Sequence, residues 1–215
     1  MASGKTINSA LSETEDEIVQ RLGDDIKTLF KQQIDAAARR LSTNPVIRVG
    51  ATAPDFLLPS TSGNSLSLFE ELKNHKVVLT FYRGSWCNFC NTALRVWQRM
   101  LPRVHGKNAT LWAIAPETLD RALEFQQEAK LEYALLSDHE NKIAEAYGLV
   151  FELPQDARET LERLGTDVGS YNGTGDWSVP ITATYVIGQD HRILLADCGP
   201  DYRERMEPET VISML

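Results

Sequence analysis

The sequence predicts an α/β protein with a central mixed β-sheet flanked by helices and preceded by a helical extension. Three observations lead to this class. Segments rich in β-branched and aromatic residues alternate with amphipathic helical patterns through the middle of the chain. Two further strand patterns follow one another near the end, joined by the turn residues Gly188-Gln-Asp190, which indicates a hairpin. The first part of the chain shows only helical periodicity, which predicts a helical extension. The strands and helices that follow it in sequence are expected to form a layered α/β domain.

The bulk composition is that of a globular protein. The chain has 215 residues, of which 42% are hydrophobic and 24% charged, with a net charge of -8. It contains no basic run and no apolar stretch of the ~20 residues that a membrane helix needs, so we expect neither nucleic acid nor a membrane as a partner. The N-terminus lacks a signal-peptide pattern, which predicts a cytoplasmic protein. Ser213-Met-Leu215 loosely resembles a peroxisomal address, and the simpler interpretation is the end of a helix.

The helical extension is predicted over residues 1–45. Ser12-Glu-Thr-Glu15 has the pattern of a capping box, and apolar residues recur after it at helical spacing as far as Leu41. This pattern predicts one long amphipathic helix that ends before Asn44-Pro45. The helix could pack on the main domain or on a second copy of the chain in a homodimer, and packing on the main domain is the simpler interpretation.

The main domain is predicted over residues 46–215. Its strands are predicted from β-branched and aromatic runs at 76–82, 110–115, 133–136, 179–187 and 191–196. Its helices are predicted at 91–101, 119–130, 141–147, 158–164 and 209–215, with a loop at 165–177.

A Cys-x-x-Cys motif lies where the first of these strands gives way to a helix. Cys87 and Cys90 are separated by one helical turn, so a disulfide can close between them, and this position is typical of a redox pair. The helix N-terminus presents unpaired N–H groups and a positive dipole end, which lower the pKa of a thiol. We expect Cys87 at the exposed end of the helix and Cys90 within the first turn. This favours Cys87 as the lower-pKa thiol and the external nucleophile, with Arg83 adding positive potential.

Other interpretations of the cysteines are a zinc site or inert buried thiols. Zinc needs about four ligands. The remaining candidates have no paired spacing, so we expect no metal; they are Cys198, His75, His105, His139 and His191. Cys198, which follows the last strand alone, is interpreted as a small apolar residue rather than as a third redox partner.

The segment around the cysteines resembles a known family. Phe81-Tyr-Arg-Gly-Ser-Trp-Cys-Asn-Phe-Cys90 is similar to the Tyr-Arg-Gly-x-Trp-Cys-x-x-Cys signature of a peroxiredoxin-like branch of the alkyl hydroperoxide reductase and thiol-specific antioxidant family. Residues 50–59 and 177–187 resemble other segments of that family, and the resemblance extends over about 49–215. The resemblance implies a thioredoxin-like fold for the main domain.

The resemblance also shows departures at the site. On the family's Pro-x-x-x-Thr-x-x-Cys loop, Arg83 takes the place of proline, Cys87 that of threonine and Cys90 that of the peroxidatic cysteine. This alignment argues for Cys90 as the attacking thiol, whereas the position at the helix end argues for Cys87. The family's later arginine falls at Thr182, where thioredoxins have a cis-proline, and Pro180 lies two residues earlier. Thr182 is therefore predicted to face the cysteine pair without supplying a charge.

The function implied by the resemblance is thiol-dependent reduction of hydroperoxides, with no metal or organic cofactor. One cysteine is oxidised to a sulfenic acid, the other condenses with it to a disulfide, and thioredoxin or glutathione restores both thiols. The expected substrate-binding residues are Arg83, Gly84, Ser85, Trp86 and Thr182. One alternative is a reductase of protein or small-molecule disulfides, or a thiol-dependent tailoring enzyme. The other is a non-catalytic interaction protein that retains the fold.

Overall fold

The computed structural model describes residues 5–215. The helices are α1 (Ile7–Leu22), α2 (Ile26–Thr43), α3 (Leu68–Leu72), α4 (Asn88–His105), α5 (Leu119–Ala129), α6 (Lys142–Ala146), α7 (Gln155–Arg163), α8 (Val168–Asn172) and α9 (Pro208–Ser213). The strands are β1 (Leu57–Pro59), β2 (Ser65–Ser67), β3 (Lys76–Phe81), β4 (Ala109–Ala115), β5 (Ala134–Ser137), β6 (Val150–Glu152), β7 (Ser178–Pro180), β8 (Ala183–Ile187) and β9 (Ile193–Cys198).

The central sheet is mixed, as the sequence predicts. Its strand order is β5-β4-β3-β8-β9, with β1–β2 and β6–β7 as separate antiparallel pairs. β3 runs parallel to β4, and β4 parallel to β5, whereas β8 runs antiparallel to both β3 and β9. Every residue of β8 is buried, and β3 is buried except at its first residue, because these strands lie in the middle of the sheet. The predicted α/β class with flanking helices is confirmed.

The N-terminal extension consists of two helices, so the prediction of one long helix is wrong. α1 begins at Ile7, where the Thr6 side chain caps the first turn, and not at the capping-box pattern of Ser12. It ends at Gly23, whose φ of +83° is a conformation that glycine adopts readily. α2 then begins at Ile26. Apolar residues of both helices face the same core, which explains why the periodicity continues across the break.

This extension is joined to the rest of the molecule by burial and by hydrogen bonds. Ile7 and Leu11 of α1 are fully buried in the same hydrophobic core as the central sheet. Thr14 Oγ1 lies 2.7 Å from Thr92 Oγ1 on α4. The Glu207 carboxylate accepts hydrogen bonds from the first N–H groups of α1, including that of Ile7 at 2.9 Å. An acidic group at a helix N-terminus stabilises it, so the start of α1 is held by the segment after β9.

The last third of the chain differs from prediction in two places. Residues 165–177, predicted as a loop, contain α8, whose first turn is capped by the Asp167 carboxylate. The predicted strand 179–187 is divided between two sheets: β7 pairs with β6, and β8 pairs with β3 and β9. The division follows Pro180, which has no N–H group with which to continue a ladder. Within residues 5–215 there is no cis peptide bond, and no helix there could span a membrane.

Candidate active site

Cys87 is the N-cap residue of α4. Its Sγ accepts a hydrogen bond from the Cys90 N–H at 3.4 Å, so the sulfur occupies the place that a serine or aspartate oxygen takes at other helix ends. α4 begins at Asn88, earlier than predicted, which puts Cys90 in its first turn. Both cysteines are free thiols. The positive end of the α4 dipole therefore faces the Cys87 sulfur.

Both cysteines are buried, and the expected exposure of Cys87 is wrong. Cys87 is 3% exposed and Cys90 1% exposed. Cys87 borders a cavity of about 290 Å³ whose walls come in part from the N-terminal extension. The aliphatic and aromatic side chains of these walls are those of Ile18, Leu22, Ile26, Leu29, Phe30, Trp86, Phe89, Leu161, Leu164 and Tyr202. The sequence could not predict this burial, because it arises from α1, α2 and α7 lying over the start of α4.

Arg83 contacts the Cys87 sulfur directly. Its Nη2 donates a hydrogen bond to Cys87 Sγ at 2.8 Å, and its Nη1 donates one to Gln33 Oε1 at 2.5 Å. The guanidinium carbon lies 3.5 Å from the ring centroid of Tyr202 and 5.1 Å from that of Trp86. Stacking on aromatic rings favours a buried cation. The arginine charge is thus held beside the sulfur by groups from three separate parts of the chain.

The two thiols have opposite pKa shifts. Burial by itself raises the pKa of Cys87, but hydrogen bonds from Cys90 and the charge of Arg83 outweigh burial and lower the pKa to about 5. Burial and the adjacent Cys87 sulfur raise the pKa of Cys90 well above its usual range. At neutral pH, Cys87 is a thiolate and Cys90 a thiol. Burial and the neighbouring Asp197 raise the pKa of Cys198 to about 12, which leaves that thiol protonated.

Glu117 organises the loop before Cys87, and the sequence analysis missed it. This fully buried carboxylate accepts hydrogen bonds from the Tyr82 hydroxyl at 2.7 Å, the Ser85 N–H at 2.8 Å and the Ser85 hydroxyl at 2.6 Å. Burial raises the pKa of Glu117, and these donors act against that rise. The sequence signal that could have identified Glu117 is its position just after β4. Adjacent parallel strands end at the same edge of a sheet, so a residue after β4 lies near the loop that follows β3.

The predicted substrate-binding residues of the loop have different surroundings. Arg83 and Trp86 line the cavity together with Cys87. Gly84 does not line it and has a φ of +135°, and a Cβ there would lie 2.6 Å from Trp86 Nε1, so the tight turn requires glycine. Ser85 donates its N–H and its hydroxyl to Glu117, so neither group points at the sulfur.

Thr182 lies beside the end of β3, the strand that leads into the cysteine loop, but it does not line the cavity. It immediately precedes Ala183, which pairs with Phe81, so it lies opposite Tyr82 at the end of β3. Its side chain is buried, and its hydroxyl has no hydrogen-bond partner within the described part of the chain.

Gln33 is the second site residue that the sequence analysis missed. It lies on the buried face of α2, four residues after Leu29 and four before Ala37, both of which are buried. A polar side chain on an apolar stripe needs a buried partner, which is a signal that the sequence does contain. The identity of that partner, Arg83, is decided by tertiary structure alone.

The described residues contain no cluster of three or more histidine, cysteine or acidic side chains that could hold a metal ion. Two of the four histidines have other contacts: His75 hydrogen-bonds Glu71, and His191 stacks on Phe69.

A thiolate at a helix N-terminus, after the central strand of this mixed sheet, defines a thiol-dependent oxidoreductase with a thioredoxin-like fold. The sequence model of the AhpC/TSA family matches residues 49–196, and the chain belongs to this family. The chain is 31% identical over 104 residues to the bcp peroxiredoxin of Coxiella burnetii, covering 48% of this chain and 68% of the relative.

Other similarities point to the same fold. The chain is 26% identical over 161 residues to the thiol-disulfide oxidoreductase ResA of Bacillus anthracis, covering 75% of this chain and 76% of the relative. The crystal structure of peroxidoxin BcpB from Mycobacterium tuberculosis superposes with a TM-score of 0.61 at 19% identity, covering 78% of this chain and 96% of that one. The family match begins after α2, so Gln33 lies outside it.

Proposed function

We propose that this protein reduces small hydroperoxides, with Cys87 as the attacking thiolate and Cys90 as the resolving thiol. The observation that carries the proposal is the 2.8 Å contact between Arg83 Nη2 and Cys87 Sγ at the wall of a small apolar cavity. The thiolate is the nucleophilic form of cysteine. A guanidinium beside it also stabilises the negative charge that develops on the departing oxygen.

The reaction proceeds in three steps. The Cys87 thiolate attacks the terminal oxygen of ROOH; the S–O bond forms, the O–O bond breaks, and the alkoxide leaves and takes a proton from water. The Cys90 sulfur then attacks the Cys87 sulfenic acid; the S–S bond forms, and the hydroxide leaves as water with the Cys90 proton. An external thiol system, thioredoxin or glutathione, reduces the disulfide with two electrons and becomes a disulfide itself.

The structure and the family alignment favour different cysteines as the nucleophile. The alignment favours Cys90, but Cys90 does not line the cavity and its pKa is raised. Cys87 lines the cavity and its pKa is lowered to about 5. We therefore assign the first step to Cys87.

The shape of the cavity favours a small substrate with an apolar group. The cavity volume is about 290 Å³ and its walls are mainly aliphatic and aromatic. A small organic hydroperoxide is of a size that a cavity of this volume can hold beside the Cys87 sulfur. The second candidate function, reduction of a small disulfide, is favoured by the similarity to ResA.

Sulfenic-acid trapping tests this assignment. Treated with one equivalent of an organic hydroperoxide, Cys90→Ser should be labelled by a dimedone probe at Cys87, and Cys87→Ser should not be labelled. The unmodified protein should instead give a Cys87–Cys90 disulfide in peptide mapping. Labelling of Cys90 alone, in Cys87→Ser, would reverse the order of the cysteines. Reduction of a disulfide substrate without peroxide turnover would favour the second candidate, and a Cys87 that is unreactive at neutral pH would favour a binding protein.

A cytoplasmic location and a homodimer remain predictions. A fluorescent fusion distinguishes a diffuse signal from a peroxisomal one. Sedimentation equilibrium distinguishes a dimer from a monomer.

A further inference from the structure

We propose that Gln33 of α2 is a positioning residue: it holds the Arg83 guanidinium in the orientation that brings Nη2 against Cys87 Sγ. This inference rests on the proposed role of Cys87 as the attacking thiolate. It assigns part of the site to the N-terminal extension, which lies outside the residues that match the family.

The geometry of the guanidinium supports this role. One terminal nitrogen of Arg83 donates to Gln33 at 2.5 Å, and the other donates to Cys87 at 2.8 Å. A guanidinium is planar and rigid, so fixing one nitrogen fixes the direction of the other. Among the described residues, Gln33 Oε1 and Cys87 Sγ are the hydrogen-bond acceptors of Arg83, and its Nε has none.

The chemistry of an amide also suits the position. Gln33 is 2% exposed, and its hydrogen bond to Arg83 is the one its side chain makes within residues 5–215. A carboxylate at this place would pair with Arg83 and cancel part of its charge. A neutral amide orients the guanidinium and leaves the full positive charge to the sulfur. The hydrogen bond to Arg83 therefore satisfies the buried amide oxygen of Gln33. Because the amide is neutral, the charge of Arg83 also remains available to stabilise the Cys87 thiolate.

The direct test is the pKa of Cys87 in position-33 variants, measured without any substrate. All variants are made in a Cys90→Ser, Cys198→Ser background, so that Cys87 is the one cysteine that titrates. Its pKa is measured from thiolate absorbance at 240 nm and from the pH dependence of iodoacetamide alkylation. Gln33→Met removes the acceptor, and Gln33→Glu keeps its size and an acceptor oxygen but adds a charge. Gln32→Met, the neighbouring glutamine without a hydrogen bond to Arg83, is the matched control.

We expect both position-33 variants to raise the pKa of Cys87 by about one or more, and Gln32→Met to leave it unchanged. In Gln33→Met the rise comes from loss of the Arg83 orientation, and in Gln33→Glu from the added carboxylate. A merely structural role predicts that Gln33→Met leaves the Cys87 pKa at the parent value, and that result would overturn the proposal. If Gln33→Met does not fold, Gln33→Asn, whose shorter side chain draws the acceptor oxygen away from Arg83, replaces it, and an unchanged Cys87 pKa there overturns the proposal in the same way. Absence of peroxide turnover in the parent protein would refute the proposed function but not this pKa measurement.

Discussion

Arg83 Nη2 lies 2.8 Å from Cys87 Sγ, four residues along the chain, in a region where both residues are almost fully buried. A buried cation and a buried thiolate each carry a desolvation cost, which the pair offsets only through close contact. The contact therefore explains why Arg83 can be buried, and the hydrogen bonds from Cys90 together with this contact lower the pKa of Cys87 to about 5.

Removing the charge of Arg83 should raise the pKa of Cys87. A charge-assisted hydrogen bond contributes about 1.5–3 kcal/mol, so Arg83→Met should raise the pKa of Cys87 by about one to two and slow alkylation of Cys87 near pH 5.5, just above its parent pKa of about 5, by several-fold or more. Arg99→Met, which removes an exposed arginine on α4, serves as the control. Equal alkylation rates in Arg83→Met and the parent protein would show that the hydrogen bonds from Cys90 and the helix end suffice to lower the pKa.

The stability of the reduced protein should depend on Cys87 ionisation. Folding lowers the pKa of Cys87 from its ordinary value of 9.0 to about 5, so between these values the unfolded chain binds more protons than the folded one. Stability from this group is therefore present at high pH and is lost as pH falls toward 5, with a slope of at most about 1.4 kcal/mol per pH unit. Urea unfolding at pH 5.5 to 8 should show this slope in the parent and not in Cys87→Ser. Parallel pH profiles would contradict the prediction.

Replacing Glu117 should destabilise the loop before Cys87. Glu117→Gln places an NH₂ donor against a site that holds three donors from Tyr82 and Ser85, so one donor loses its acceptor. We expect a loss of about 1–3 kcal/mol in the free energy of unfolding, measured by chemical denaturation. Glu128→Gln, on the exposed face of α5, should cost little by comparison. Similar losses in both variants would mean that the Glu117 hydrogen bonds do not stabilise the loop.

A charge at the cavity wall should change substrate preference. Leu164 lines the cavity and is 44% exposed, so Leu164→Glu can fold with its carboxylate near the opening. We expect kcat/KM for an organic hydroperoxide such as cumene hydroperoxide to fall several-fold, and that for hydrogen peroxide to change little, because only the former buries an apolar group. Leu123→Glu, at a 36% exposed leucine on α5, is the control. A uniform loss for both peroxides would place substrate binding elsewhere.

Removing the hydroxyl of Thr182 should not destabilise the protein. The hydroxyl is buried without a partner in the described structure, so Thr182→Val removes an unsatisfied polar group at nearly constant volume. We expect an unchanged or raised Tm in thermal unfolding. A fall in Tm of several degrees would show that the hydroxyl makes a hydrogen bond in solution.

The sequence by itself determined the mixed sheet and the Cys-x-x-Cys motif at the start of a helix. Local patterns in the sequence specify these features: the runs that form β3, β4 and β5, the hairpin after Ile187 and the Cys-x-x-Cys spacing. Each is read from residues that are close together in the chain, as hydrophobic periodicity is. Arg83 could also be predicted as a site residue, since it lies in the same loop as Cys87. The break at Gly23 was missed because the periodicity of apolar residues continues across it.

Tertiary structure alone decided what surrounds the sulfur. Gln33 is 50 residues from Arg83 in sequence, and Glu117 is 32 residues from Ser85, so no local pattern links either pair. The same holds for the burial of Cys87, which depends on α1, α2 and α7 lying over the start of α4. A pKa depends on the charges and the burial within a few ångströms of the group, and those neighbours are set by the packing of distant segments rather than by the residues beside it in sequence.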